Sequence, residues 1–174
     1  MTFKFRSLLT ISALAATALL MTVSCKKSNS SSSSGTISVS VHDSTFQSQA
    51  QYTAGLYSTS QNAYSLTGVV TTKTDTDAFQ IVIQGPVRLN VPVNTDTVGS
   101  YIAYFDQNAT FDWQAGGAGG GTAIYTVTNL DTTSHVIAGT FSGSLYDMLN
   151  TSGITIDSVL MTGGKFNLTY TVTP

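Results

Sequence analysis

Glutamate is absent from this chain, and charge of any kind is scarce: Asp, Lys and Arg together make up 9% of its 174 residues. An ordinary soluble domain carries about a quarter. Cysteine occurs once, at Cys25, so no internal disulfide can form. Histidine occurs only at His42 and His135. A chain this poor in Glu, His and free thiol lacks the usual material for zinc sites and proton-transfer pairs. No catalytic set, metal or cofactor is expected.

The same scarcity bears on the fold. With no Glu and few Lys or Arg, there is little from which to build helices. In their place stand Thr, Ser, Gly, Asn and Gln, which suit the solvent face of strands. The fold class read from this is all-β. Beyond residue 24 five cations, Lys26, Lys27, Lys73, Arg88 and Lys165, stand against nine aspartates, a net charge of −4. A weakly acidic chain with no basic cluster past Lys26-Lys27 does not read as a nucleic-acid binder.

What is present begins with an export signal. Lys4 and Arg6 precede Leu8–Val23, in which every residue is apolar, Ser or Thr. A basic start, a short apolar run and small residues before a cut site make a secretory signal peptide. At 16 residues the run falls short of the roughly 20 that a membrane-crossing helix needs. Ser24 then sits directly before Cys25, followed by Lys26-Lys27. This arrangement resembles the lipobox of bacterial lipoproteins, with Thr22 at a position where the family prefers Leu. The resemblance implies cleavage before Cys25 and acylation of its sulfur, with palmitate-type chains as the membrane anchor. Each buried methylene contributes about 0.8 kcal/mol, so two or more acyl chains hold a protein firmly where one does not. Ser28-Asn29, five serines and Gly35 follow. Such a stretch cannot bury apolar area and reads as a flexible tether. The domain organisation expected is 1–24 signal peptide, 25–35 lipidated cysteine and tether, and 36–174 a single β domain.

Within that domain strands announce themselves by alternation. Ile37, Val39 and Val41 form one apolar face, and Thr45-Phe46-Gln47 returns after a turn at Asp43-Ser44. Leu56-Tyr57 makes a weak strand. Tyr64, Leu66 and Val70 share a face, with Gly68 expected at a bulge or close contact. Phe79, Ile81 and Ile83 follow, ended by Gly85-Pro86. Pro92 makes the segment from Leu89 to Val93 an edge or a loop. Tyr101, Ala103 and Phe105 resume the inward set, then Phe111 and Trp113. After a glycine loop from Ala115 to Gly121 come Tyr125 and Val127, then Ile137, Phe141 and Leu145. Ile154 and Ile156 form a short strand. Phe166, Leu168, Tyr170 and Val172 close the chain. Met148-Leu149 is the one place a helical turn is expected. These are nine or ten strands, mostly in sequential hairpins. An antiparallel β-sandwich is the first expectation and a small up-and-down barrel the alternative.

The runs Val136–Gly143 and Gly163-Gly164-Lys165-Phe166-Asn167, with the opening Val41-His42-Asp43-Ser44-Thr45-Phe46, resemble a group of small uncharacterised Bacteroidota lipoproteins. That resemblance implies an all-β lipoprotein and no activity. Surface-exported lipoproteins of that kind carry acidic residues after the cysteine. Lys26-Lys27-Ser28-Asn29 has none, so an outer-membrane lipoprotein facing the periplasm is expected.

Four patterns invite chemistry. His42-Asp43-Ser44 holds the residue types of a hydrolase triad, but neighbouring strand residues point apart, and a polar turn explains them. Asp75 and Asp77 offer oxygens to calcium without further nearby carboxylates, as turn-forming aspartates do. Gly116–Gly121 lacks the Lys-Ser/Thr and helix of a phosphate loop. Trp113 with Tyr101, Tyr104, Tyr57 and Tyr64 has the composition of a platform on which the apolar face of a sugar stacks. The function expected is a non-catalytic structural or interaction module anchored at the membrane, with a glycan- or small-ligand-binding module as the alternative.

Overall fold

The structure is a computed structural model that describes residues 35–41, 44–71, 76–106, 112–117, 120–147 and 158–174. Cys25, its flanking leader and serine tether, His42-Asp43, Asp75, Phe111, Met148-Leu149 and the Ile154–Ile156 strand lie outside them.

Among the described residues twelve strands form: β1 (Thr36–Val41), β2 (Ser44–Gln47), β3 (Thr53–Ser58), β4 (Ala63–Thr71), β5 (Thr76–Gln84), β6 (Val93–Asn94), β7 (Tyr101–Asp106), β8 (Asp112–Gly116), β9 (Thr122–Asp131), β10 (Val136–Asp147), β11 (Ser158–Thr169) and β12 (Thr171–Thr173). Among the described residues a 3-10 turn, Ala50–Tyr52, and one four-residue α-helix, α1 (Thr95–Val98), interrupt them. The helix is capped by the Asn94 side chain, which accepts from the Asp96 amide, and ends at Gly99 in the left-handed region. The excess over nine or ten strands lies in β6 and β12, two and three residues long, too short to show a period.

The strands make one hydrogen-bonded path, β12-β3-β4-β5-β7-β8-β10-β11-β1-β2, with β9 on β10 and β6 on β9. No ladder joins the ends of that path among the described residues, so the fold is an open sandwich and not the closed barrel of the alternative. Its two halves face each other across the core. Phe46 of β2 packs on Phe79 of β5 at 4.8 Å, and Phe79 approaches Phe141 of β10 at 6.2 Å. Two strands pass between the halves. β10 pairs β9 through Ser144 and then β8 at Tyr146 and Asp147. β11 pairs β10 and β1, and past Tyr170 the chain continues as β12, parallel to β3. Strands that switch sheets are how such sandwiches turn their corners.

Burial follows alternation wherever a strand has one wet face. Ile37, Leu66, Phe79, Ile81, Ile102, Ile137 and Leu145 are fully buried. Of the set expected to face inward on β7 only Ala103 is buried: Ile102 packs in the core cluster and Tyr104 against it, whereas Phe105 is 36% exposed. Register with β5, which pairs Phe79 with Tyr104 and Ile81 with Ile102, sets that phase. Three consecutive apolar residues at 101–103 left it undecided locally. Val172 is likewise 48% exposed: the ladder with β10 ends before Tyr170, the last buried residue of that face, and β12 goes on to pair β3. Sequential hairpins are supplemented by four longer-range pairings, β1–β11, β8–β10, β6–β9 and β3–β12.

Gly68 is a close contact and not a bulge, since its ladders with β3 and β5 run without a shift. A Cβ there would lie 2.7 Å from the Cβ of Ser48. Ser48 is itself buried, accepting the Ile37 amide at 2.8 Å and the Thr53 hydroxyl at 2.8 Å. Ser48→Ala leaves the Ile37 amide without that acceptor in the interior. The expected loss is about 1–3 kcal/mol, read in urea as a lower midpoint at unchanged slope.

Candidate functional site

The sugar platform expected from composition does not form as one surface. Trp113 is 8% exposed and stacks on Tyr104 at 5.5 Å inside the core. Tyr101, three residues from Tyr104 on the same strand, points to the opposite face. Tyr57 and Tyr64 stack at 4.5 Å far along the sheet, where Tyr170 meets Tyr64 edge-on at 5.1 Å. Burial, followed by the neighbouring tyrosines, pushes the Tyr64 phenol up to about 12. Aromatic residues in the right number thus serve two separate packing clusters, with Tyr101 left over.

Tyr101 stands on the outer face of the β3-β4-β5-β7-β8 half. Its hydroxyl donates to Gln80 Oε1 at 3.2 Å, and Gln80 Nε2 donates to Ser65 Oγ at 3.3 Å. Burial raises the Tyr101 phenol above its ordinary value. Phe105 lies on the same face, four residues along, about 13 Å away at strand rise. Thr67 pairs with Gln80, and Gln114 with Ala103, completing a face of amides, hydroxyls and two rings.

His135 shares the β9–β10 turn with an aspartate and a hydroxyl. There Asp131 accepts the Thr133 amide at 2.8 Å, the Ser134 amide at 3.1 Å and the Ser134 hydroxyl. The hydroxyl is directed at the carboxylate and not at imidazole, the reverse of a nucleophile–base pair. The His135 ring packs instead over Tyr170 at 5.2 Å, with its backbone at φ 53. The Ser134 hydroxyl, then the Ser134 and Thr133 amides, hold the Asp131 carboxyl below the usual range. A depressed carboxylate stabilises the fold above its unfolded value and ceases to as pH falls through the lower, folded one. Asp131→Ala is therefore expected to lower the thermal midpoint at neutral pH. The gap from wild type should close on acidification below 3.8, the reference value. A gap unchanged by acid would refute the cap.

The sequence leaves Leu89–Val93 as an edge or loop, and a cavity lies against the longer Gly85–Asn94 segment that contains it. The segment leaves β5 through the cis Gly85-Pro86 bond and folds back on β9. Leu89 bridges Val127, the Asn90 amide donates to the Val127 carbonyl at 2.8 Å, and β6 pairs with Tyr125 and Ile124. Two buried hydroxyls secure this region. Ser100 Oγ accepts the Gln84 amide at 2.9 Å and lies 3.1 Å from the Tyr125 hydroxyl. Thr95 Oγ1 exchanges hydrogen bonds with the Ala123 backbone, both at 3.2 Å. Between segment and sheet lies a pocket of ≈ 320 Å³, floored by Tyr125 and Val127, walled by Pro86, Val87, Val91 and Val93, with Arg88 at its rim. The available signal was the pair of prolines bracketing one of the chain's few arginines.

No protein-family model matches the chain, nor does any curated protein or solved structure.

Proposed function

We propose that this protein is a lipid-anchored, non-catalytic module of a bacterial cell envelope, held in the outer membrane through acylated Cys25 with its β body on the periplasmic side. The observation that carries this reading is the place of the sole cysteine. It follows Ser24 at the end of a 16-residue apolar run, and a serine-rich tether leads from it to β1 at Thr36. An all-β body that begins where the tether ends is what supports the division into anchor, leash and cargo. Alkyne-palmitate labelling in an envelope-forming host, with mass spectrometry of the N-terminus, tests it. Label on wild type, none on Cys25→Ala, and an N-terminal peptide beginning at modified Cys25 are expected. An unmodified N-terminus upstream of Cys25 overturns the reading.

A second reading, glycan binding, is favoured by the outer face around Tyr101. Uncharged amides and hydroxyls flank two partly exposed rings there, which is the chemistry that meets sugar hydroxyls and stacks on sugar faces. On a glycan array the full chain is expected to bind neutral glycans. Tyr101→Ala is expected to abolish binding, and Arg88→Gln to leave it intact. Binding indifferent to Tyr101→Ala, or absent, rejects this reading.

A further inference from the structure

We infer that the pocket beneath the Gly85–Asn94 segment is a binding site for a small organic carboxylate, with Arg88 meeting the anion and the valine-lined interior taking its apolar body. This inference is independent of the anchor at Cys25 and of the Tyr101 face.

The first support is where the positive charge sits. Among the described residues Arg88 and Lys165 are the only Lys or Arg. Each lines one of two neighbouring cavities, and the two cavities share Pro92. No aspartate lines either of them. Asp96, close in sequence to Asn94 and Thr97, takes a hydrogen bond from Thr122 at 3.0 Å outside both linings. Residues 25–174 carry −4 overall, so an approaching anion is repelled by most of the body and drawn to this end.

The second support is the composition of the cavity. Ligand pockets are mainly apolar concavities of roughly 300–1,000 Å³ with a few placed polar groups. This one has ≈ 320 Å³, apolar walls, and Gln84, Asn94 and Thr97 beside Arg88. A volume near the lower limit suits a ligand of about ten to fifteen non-hydrogen atoms. A single guanidinium fork matches a carboxylate in bidentate fashion. The apolar lining provides few further donors for a doubly charged phosphate. Leu89, Val91 and Ile124, between 42% and 49% exposed, extend the apolar surface around the mouth.

The third support is rigidity. Ser100 and Thr95, both fully buried, fasten the floor and the far end of the segment to β9, so the cavity exists before any ligand arrives.

The test is isothermal titration of the purified full chain, with protein-free buffer as the blank. Octanoate, octanol, octylammonium and inorganic phosphate serve as probes. Octanoate is expected to bind at least tenfold more tightly than each of the other three. Arg88→Gln, at an exposed position, is expected to weaken octanoate at least tenfold while leaving octanol unchanged. Lys165→Gln should weaken octanoate less than threefold. Octanoate no tighter than octanol, phosphate as tight as octanoate, or affinity indifferent to Arg88→Gln would each overturn the assignment. So would absence of octanoate binding. None of these outcomes bears on acylation of Cys25, which is read separately by mass.

Discussion

Phe79→Ala is expected to lower the free energy of unfolding by about 3–5 kcal/mol and the thermal midpoint by on the order of 10 °C. Phe79 is fully buried, with the Phe46 ring at 4.8 Å, Tyr104 at 4.9 Å and Phe141 at 6.2 Å. Those partners belong to β2, β7 and β10, so one ring touches both halves of the sandwich. Removing it forfeits the transfer energy of the ring and leaves a cavity that strands hydrogen-bonded on both sides cannot close. Phe105→Ala is the matched control, because Phe105 is 36% exposed on the outer face of β7. It should cost less than about 1 kcal/mol, as a surface truncation does. Equal losses for the two variants, measured by urea unfolding, would show that β7 has the opposite phase.

Gly139→Ala is expected to cost on the order of 2–3 kcal/mol, the upper part of the range for overpacking a filled interior. A Cβ at Gly139 would stand 2.3 Å from the Thr126 carbonyl oxygen and 2.4 Å from Phe166 Cζ. The ring could be shortened; the carbonyl belongs to the β9 ladder and cannot withdraw without breaking pairing. The ladder shifts register between Ala138 and Gly139, which brings the β9 backbone this close. Gly139→Ala combined with Phe166→Leu should therefore recover none of the loss and add its own. A neutral Gly139→Ala would contradict the register drawn here for β9 and β10.

Much of the body was legible in the sequence where a strand has one wet face and one dry. β1, β4, β5, β9, β10 and, past Gly163, β11 repeat their apolar residues every second position, and those residues form the core. Period alone sets their phase, since a shift of one residue would turn the whole apolar set to water. Where apolar residues run together, as at Tyr101-Ile102-Ala103, period is silent, and register with β5 decides. The candidate site was less legible still. Trp113, Tyr104 and Tyr101 look alike as aromatics on neighbouring strands. The core takes the first two because Phe79 and the opposite sheet lie on that side. Arg88 carried no periodic signal, and its place beside a cavity depends on β9, nearly forty residues away, passing beneath the segment.

By itself the sequence determined the class of the body and the strand faces that bury, because alternation and the dearth of helix-forming charged residues are local properties of the chain. Tertiary structure decided the open sandwich over the barrel, the inward turn of Trp113 and the pocket at Arg88. Each of these rests on which distant strands share hydrogen bonds, and ladders such as β1 with β11 or β3 with β12 join residues more than a hundred positions apart. No window of sequence spans that separation.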